Sequence, residues 1–351
     1  MDNKNRGIRG LGVVIGNLQA GPRNAITDVP GVKVGHITLD DGEVKTGVTA
    51  ILPHPGNLFQ DKVMAAVHVI NGFGKTTGSI QIDELGTIET PIILTNTLSV
   101  GVAVDALVRY MLAANADIGL TAGTVNPVVA ECNDGYLNDI RGGHVRTEHI
   151  FAAIEAAGEH FDQGAVGAGT GMSCFGLKGG IGSASRLLVL NNRAYAVGAL
   201  VLANFGQLED LRVDGRPVGE KIAAKLKTEP SPDKGSIIIV LATDIPLSER
   251  QLARVAKRAA VGLSRTGSYF GHGSGDIVIA FSSANLVSHY EELDIVTTRM
   301  IQEAKINDVF RAAAECTEEA VLNALAFAAT TVGRAGHIRR ALGDFSDFIG
   351  R

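Results

Sequence analysis

The sequence predicts a layered α+β fold, in which sheets and helices form separate layers, and not a doubly wound parallel sheet. Short β-branched runs bounded by Gly, Asn or Asp recur along the chain, and helical periods gather apart from them. The 43 glycines, with no tryptophan and only 5% aromatics, call for many tight turns and close backbone approaches. In chain order, Val63–Ile70 and Ile92–Thr95 read as strands, and Val100–Asn115 and Glu148–Ala157 carry helical periods. Leu187–Leu190, Ala194–Ala203 and Ile237–Ala242 are strands again, rich in the residues that fit a pleated surface. Ser248, with Gln251 three residues on, forms a capping box; Leu252, Val255, Ala256, Ala259 and Leu263 then share one helical face. Ile277–Phe281 is the last strand. Asp308–Ala329 is a helix, apolar on one side through Phe310, Ala313, Ala314, Val321, Ala324 and Leu325. Pro91–Val100 and Ile238–Ser248 echo one another weakly as strand, Thr-Asn or Thr-Asp, then helix.

With 351 residues, 45% of them hydrophobic and 20% charged, the chain can bury a sizeable core, and its mean hydropathy of +0.17 excludes a disordered protein. A net charge of -5 leaves no basic footprint for nucleic acid. Met1–Gly10 is polar and lacks the apolar core of a signal peptide, and no later apolar run is expected to reach the roughly 18 residues of a membrane helix. A cytoplasmic location with no membrane partner is the expectation. Cys132, Cys174 and Cys316 are odd in number and far apart, so they read as small core residues and not as a disulfide framework or zinc site. His144 and His149 sit five apart, off the i, i+4 face of a helical metal site. Neither metal nor cofactor is expected.

Familiar catalytic signatures fail on spacing. Asn71-Gly72-Phe73-Gly74-Lys75-Thr76 ends like a phosphate loop, but Val69 stands where the first glycine belongs. Gly167-Ala168-Gly169-Thr170-Gly171 is followed by a glycine-rich segment and a strand, not by the helix that a dinucleotide loop opens. No G-x-S-x-G elbow occurs.

The informative stretch is the junction Pro230-Ser231-Pro232-Asp233-Lys234-Gly235-Ser236, which runs directly into Ile237-Ile238-Ile239-Val240-Leu241. If Ser236 Oγ attacks the Gly235 carbonyl, the peptide becomes an ester whose hydrolysis frees an N-terminal serine. Such a residue holds nucleophile and base together, because an α-amino group titrates at about 7.7 to 8.0. Gly235, lacking a Cβ, permits a strained backbone and open access to its carbonyl. Thr228–Lys234 is the one linker-like stretch, read as preceding a nick inside a single domain spanning 1–351. Downstream, Ser274 and Asp276 stand two apart in Gly271-His272-Gly273-Ser274-Gly275-Asp276; on an extended segment they face one side and can act as a relay, though a plain hairpin turn gives the same pattern. Asn204 closes an apolar strand with an amide suited to an oxyanion, and Glu131 ends another with a carboxylate suited to an ammonium. Turn chemistry and a solvated loop carboxylate are the ordinary readings of these two.

Several long motifs in order carry a resemblance: Asn24-Ala25-Ile26-Thr27-Asp28-Val29-Pro30-Gly31-Val32 with Val34-Gly35-His36, Glu89-Thr90-Pro91-Ile92 with Leu94-Thr95-Asn96-Thr97, Asn133-Asp134-Gly135-Tyr136-Leu137-Asn138-Asp139, the Gly-Ser-Ile-Ile-Ile-Val junction, and Arg265-Thr266-Gly267-Ser268 leading to Gly273-Ser274-Gly275-Asp276. Across nearly its whole length the chain resembles the L-aminopeptidase/D-esterases and β-peptidyl aminopeptidases, self-processing serine hydrolases that include a relative cleaving nylon oligomers. The resemblance implies a four-layer αββα sandwich, similar to the N-terminal-nucleophile hydrolases but differently connected, assembled as a homo-oligomer, often a tetramer. It implies cleavage between Gly235 and Ser236, Ser236 as nucleophile, Ser274 and Asp276 as its relay, and Asn204 as oxyanion donor. It also implies that Glu131 receives the free amino group of a small peptide or amide substrate and that Tyr136 lines or polarises the site. Two alternatives stay open: an acyltransferase of the ornithine acetyltransferase type, whose nucleophile is threonine, and an uncut small-ligand-binding protein.

Overall fold

The structure, a computed structural model, describes residues 7–227 and 235–350; the expected linker Thr228–Lys234 lies outside the described residues. A four-stranded sheet has the order β1 (Lys33–Asp41), β2 (Val44–Leu52), β5 (Ile92–Asn96), β6 (Val128–Cys132). A six-stranded sheet has the order β4 (Thr87–Ile88), β3 (Asp61–Gly72), β12 (Gly275–Ser288), β11 (Ser236–Thr243), β10 (Arg193–Asn204), β9 (Gly180–Leu190). Two ribbons pair β7 (Ser173–Cys174) with β8 (Leu177–Lys178) and β13 (Thr331–Val332) with β14 (Ile338–Arg339). The helices are α1 (Gly7–Gly10), α2 (Ser79–Leu85), α3 (Val100–Ala114), α4 (Thr147–Glu155), α5 (Val218–Leu226), α6 (Glu249–Ala256), α7 (Ala259–Arg265) and α8 (Ile306–Ala326).

The side-chain alternation of β11 sets the layering. Ile238, Val240 and Ala242 point into the space between the sheets, against Ile92, Leu94, Val128 and Ala130. Ile237, Ile239 and Leu241 point the other way, onto Leu252, Val255, Leu263, Val309 and Ala313 of α6, α7 and α8. On the far side of the small sheet, Val48, Ala50 and Ile93 meet Ala103, Leu107, Ile150 and Ala153 of α3 and α4. The order of layers is helices, sheet, sheet, helices: the four-layer αββα sandwich within an α+β fold. Because β11 is buried on both faces, its near-continuous apolar run is what its position requires.

The weak internal echo has a structural counterpart. β5 leads through α3 to β6, and β11 leads through α6 and α7 to β12; each pair of strands is parallel inside an otherwise antiparallel sheet. Ser248 caps α6 as its box implies, accepting from the Gln251 N–H at 3.2 Å, but the helix breaks after Ala256 and restarts as α7, both pieces keeping their apolar residues inward. Contrary to expectation, Thr97–Ala114 is by length and composition apolar enough to cross a membrane, with mean hydropathy 1.5. Its Val100, Ala103, Ala106 and Leu107 are the residues that cover the small sheet.

Helix α8 departs from the simple one-sided stripe, because Glu315, Glu318 and Glu319 are buried as well. Arg186 of β9, with no exposed surface, donates to Glu315 at 2.9 Å, to Glu319 at 2.7 Å and to the Ile15 carbonyl at 2.7 Å. Glu319 also accepts from Arg9 at 2.5 Å and Asn24 at 2.6 Å; burial pushes its carboxyl up, but Arg9 and Arg186 outweigh this and hold it below the usual range. Removing one partner of such a set leaves an uncompensated buried charge. Arg186→Met is therefore expected to destabilise the fold by about 3–5 kcal/mol, read as a lower urea midpoint at unchanged slope.

Candidate active site

Strand pairing assembles the centre at one end of the large sheet. In register, Ser236 at the start of β11 stands between Asn204, the last residue of β10, and Gly275, the first of β12. The side chains are nearly closed off from solvent: Ser236 is 7% exposed, Asn204 6%, Ser274 2% and Asp276 1%. The Gly275 N–H donates to Ser236 Oγ at 3.2 Å, and Ser274 Oγ donates to Asp276 Oδ1 at 2.5 Å, the short contact of a hydroxyl on a carboxylate. The predicted pair thus meets across Gly275, the residue whose N–H reaches the candidate nucleophile.

Asn204 is oriented by two backbone groups. Its Oδ1 accepts from the Ser173 N–H at 2.8 Å, and Nδ2 donates to the Asn133 carbonyl at 3.0 Å. An N–H on one side and a carbonyl on the other fix which way the amide faces, and one of its two N–H bonds remains for another acceptor. The glycine at 235 also answers to packing: a Cβ there would lie 2.1 Å from the Asn204 carbonyl oxygen and 2.3 Å from Phe205 Cα. The close approach of the end of β10 excludes a side chain.

Glu131 is not a solvated loop carboxylate but part of β6, 3% exposed. It accepts from the Lys75 N–H at 2.9 Å and from the Thr97 hydroxyl. Gly74 connects it to the centre: a Cβ on Gly74 would fall 3.5 Å from Glu131 Oε1 and 3.7 Å from Gly275 Cα. Tyr136 stands further out, 39% exposed, on the loop whose Asn133 carbonyl holds Asn204. His272 is exposed, and its carbonyl accepts from Asn71 Nδ2 at 3.2 Å.

Sequence reasoning missed Asn71, Lys178, Ser173 and Arg339. The segment that fails as a phosphate loop is a wall of this centre. Asn71 pairs with Asp276 across a bulge in β3, donates to the carbonyls of Gly271 and Ser274, and so clamps the loop carrying Ser274. Lys178, wholly buried, donates to the carbonyls of Gly169, Met172 and Gly179 at 2.8–3.0 Å and fixes the turn that presents Ser173; burial brings its amine down to about 7. The available signals were a glycine pair ending a strand and a lone lysine in an otherwise apolar, glycine-rich stretch. The cysteines are buried thiols, Cys132 directed at the Leu202 carbonyl and Cys316 at that of Val197.

Residues 24–339 match Peptidase family S58. A β-peptidyl aminopeptidase of Sphingosinicella microcystinivorans is 42% identical over 352 aligned residues, covering 94% of this chain and 87% of that protein. Among solved structures, a Pyrococcus horikoshii OT3 protein superimposes with a TM-score of 0.92 at 53% identity, covering 99% of this chain and 98% of the other. The L-aminopeptidase D-Ala-esterase/amidase of Ochrobactrum anthropi, a prototype serine aminopeptidase with a variant of the Ntn hydrolase fold, gives a TM-score of 0.88 at 38% identity over 95% of both chains. The match in fold extends over nearly every residue, and the chain belongs to peptidase family S58, a hydrolase of peptide or amide bonds.

Proposed function

We propose that the protein is a self-processing serine aminopeptidase, releasing the N-terminal residue of short peptides, amides or esters through an acyl-enzyme on Ser236. The observation that carries this reading is the strand register in which Ser236, first residue of β11, lies between Asn204 and Gly275, the residue that the bonded pair Ser274 and Asp276 flanks. The aminopeptidase activity of the relatives named above supports it. In the precursor, Ser236 Oγ attacks the Gly235 carbonyl, the C–N bond breaks as the new α-amine takes a proton, and water hydrolyses the ester. Residues 1–235 and 236–351 then stay together, since β11 pairs with β10 and β12 pairs with β3 across the cut.

In turnover, the freed α-amine, supported by the relay, accepts the Oγ proton as Oγ attacks the substrate amide. The oxyanion is held by the remaining N–H of Asn204 and by backbone N–H groups, and the leaving amine takes the proton back. Water then attacks the ester and releases the acid. Glu131, a buried carboxylate side chain that accepts from the Lys75 N–H and the Thr97 hydroxyl, has further lone pairs to offer the substrate's ammonium. β-Amino acid and D-configured substrates fall within the same reading, because the two relatives carry those activities in their names.

A homo-oligomer is part of the proposal: residues 291–300 are all exposed and carry Leu293, Ile295, Val296 and Met300, an apolar load that a lone chain leaves in water. Mass spectrometry of fresh wild-type protein is expected to give two species, one beginning Ser-Ile-Ile-Ile, and native mass spectrometry a multiple of the pair. Free-amine anilides are expected to be hydrolysed and N-acetylated ones spared, a preference that Glu131→Gln weakens through KM. A single intact mass in an active preparation removes the N-terminal serine from the mechanism. Equal turnover of blocked and unblocked substrates removes Glu131.

A further inference from the structure

The strands β13 and β14 form a C-terminal hairpin that lies on the Asn133–Leu137 loop. The Arg334 N–H and Nε donate to the carbonyls of Leu137 and Gly135, each at 2.7 Å, and Gly333 is obligatory because a Cβ would fall 2.1 Å from the Leu137 oxygen. Nδ1 of His337 lies 2.7 Å from the Tyr136 carbonyl oxygen, which can only accept, so the ring carries its proton on Nδ1. The His337 ring stacks on the Tyr136 ring at 4.5 Å and 17°, and the Arg339 guanidinium sits 3.6 Å from the centroid of that same ring. Residues two apart on an extended segment are separated by roughly 6.6 Å and face one way. That spacing lets the two planar groups take an aromatic ring between them.

Arg339 does more than stack. Its Nε donates to Ser173 Oγ at 3.1 Å, the Ser173 N–H donates to Asn204 Oδ1, and Asn204 Nδ2 donates to the Asn133 carbonyl, three residues before Tyr136. One guanidinium thus closes a circuit through the ring of Tyr136 and the amide of Asn204. We propose that Arg339 is a positioning residue for the hydrolysis: from the piece that begins at Ser236 it holds Tyr136 and Asn204, both in the piece that precedes the cut, in fixed relation to each other. The inference rests on the reading of Asn204 and Ser236 above. A lysine cannot substitute, because it has neither the plane that stacks on the ring nor the fork that reaches Ser173 at the same time.

The test measures kcat and KM on a free-amine p-nitroanilide, with the thermal midpoint and extent of self-cleavage recorded for each protein. Arg339→Met is expected to lower kcat on the order of tenfold to a hundredfold with little change in KM, the effect of losing one hydrogen bond to a charged group. Arg339→Lys is expected to recover little of it. In the Asn204→Ala background, Arg339→Met is expected to cost almost nothing further, because the residue acts through that amide. Ser173→Ala, which removes only the acceptor hydroxyl, is expected to give a smaller loss in the same parameter, and it carries the test if Arg339→Met does not fold. Unchanged kcat in Arg339→Met, or the same factor lost with and without Asn204, overturns the proposal alone. Full activity in Asn204→Ala overturns the underlying reading of the oxyanion donor and the positioning role with it.

Discussion

Ser236→Ala is expected to yield one uncut chain of 351 residues with no aminopeptidase turnover. The loss in kcat is expected on the order of 10⁶-fold, as when a serine hydrolase loses its nucleophile. The side chain does two jobs in the proposed scheme, so one substitution removes both. Without Oγ no ester forms at Gly235, and without that ester no α-amine is released to serve as base. The fold is expected to survive. Ser236 contributes one acceptor, to the Gly275 N–H, whereas β11 is held by pairing to β10 and β12 and by isoleucines on both faces. An intact mass, a wild-type thermal transition and no chromophore release is the expected combination. Hydrolysis by Ser236→Ala at wild-type rate would falsify the nucleophile assignment, and a cut chain would place the processing chemistry elsewhere.

The parts of this arrangement that were legible in the sequence are those where local pattern and tertiary position agree. β11 shows itself because a strand buried on both faces needs an unbroken β-branched run, and α6 shows itself through the Ser248–Gln251 box. The first half of β9, Gly180-Ile181-Gly182-Ser183-Ala184-Ser185, was illegible for a physical reason. A Cβ on Gly182 would stand 1.9 Å from the Ala320 carbonyl of α8, and Asn323 donates to the Ser183 carbonyl at 2.8 Å. Small residues are needed there so that a helix backbone can lie against the sheet, and that demand erases the strand signal. Helix α8 hid its ion pairs similarly, since Glu315 and Glu319 look solvated until Arg186, more than a hundred residues earlier, is brought under them.

At the site, Ser274 and Asp276 were legible because their partnership is local. Glu131, Asn71 and Arg339 come together only through strand pairing and the C-terminal hairpin, a long-range arrangement that residue spacing does not encode. Gly235 is instructive in a different way. Beyond the backbone freedom that the sequence suggests, the close approach of Asn204 and Phe205 excludes a side chain there, and no local pattern encodes that contact.

Asn204→Ala is expected to fold, to self-cleave slowly, and to turn over substrate on the order of 10²- to 10³-fold more slowly in kcat, about 3 kcal/mol of transition-state stabilisation. The argument rests on pre-organisation. The Ser173 N–H and the Asn133 carbonyl lock the amide in one orientation before any substrate arrives, so its second N–H meets the developing charge without reorganisation. The loss belongs in kcat, with KM nearly unchanged, because a neutral carbonyl gains little from that donor and an oxyanion gains much. The same two bonds carry a structural cost, since alanine leaves two part-buried backbone groups without this partner, each bond worth about 0.5–1.5 kcal/mol. A lowered thermal midpoint is therefore expected beside the kinetic defect, and the two are separated by Asn204→Asp, which keeps an acceptor for Ser173 but offers no N–H to an oxyanion. Matching kinetic losses in the alanine and aspartate variants, with the midpoint falling more in the first, fit an oxyanion donor. Wild-type kcat in a folded Asn204→Asp protein would leave Asn204 as a strut for the Ser173 and Asn133 loops and move the oxyanion's binding entirely to backbone N–H groups.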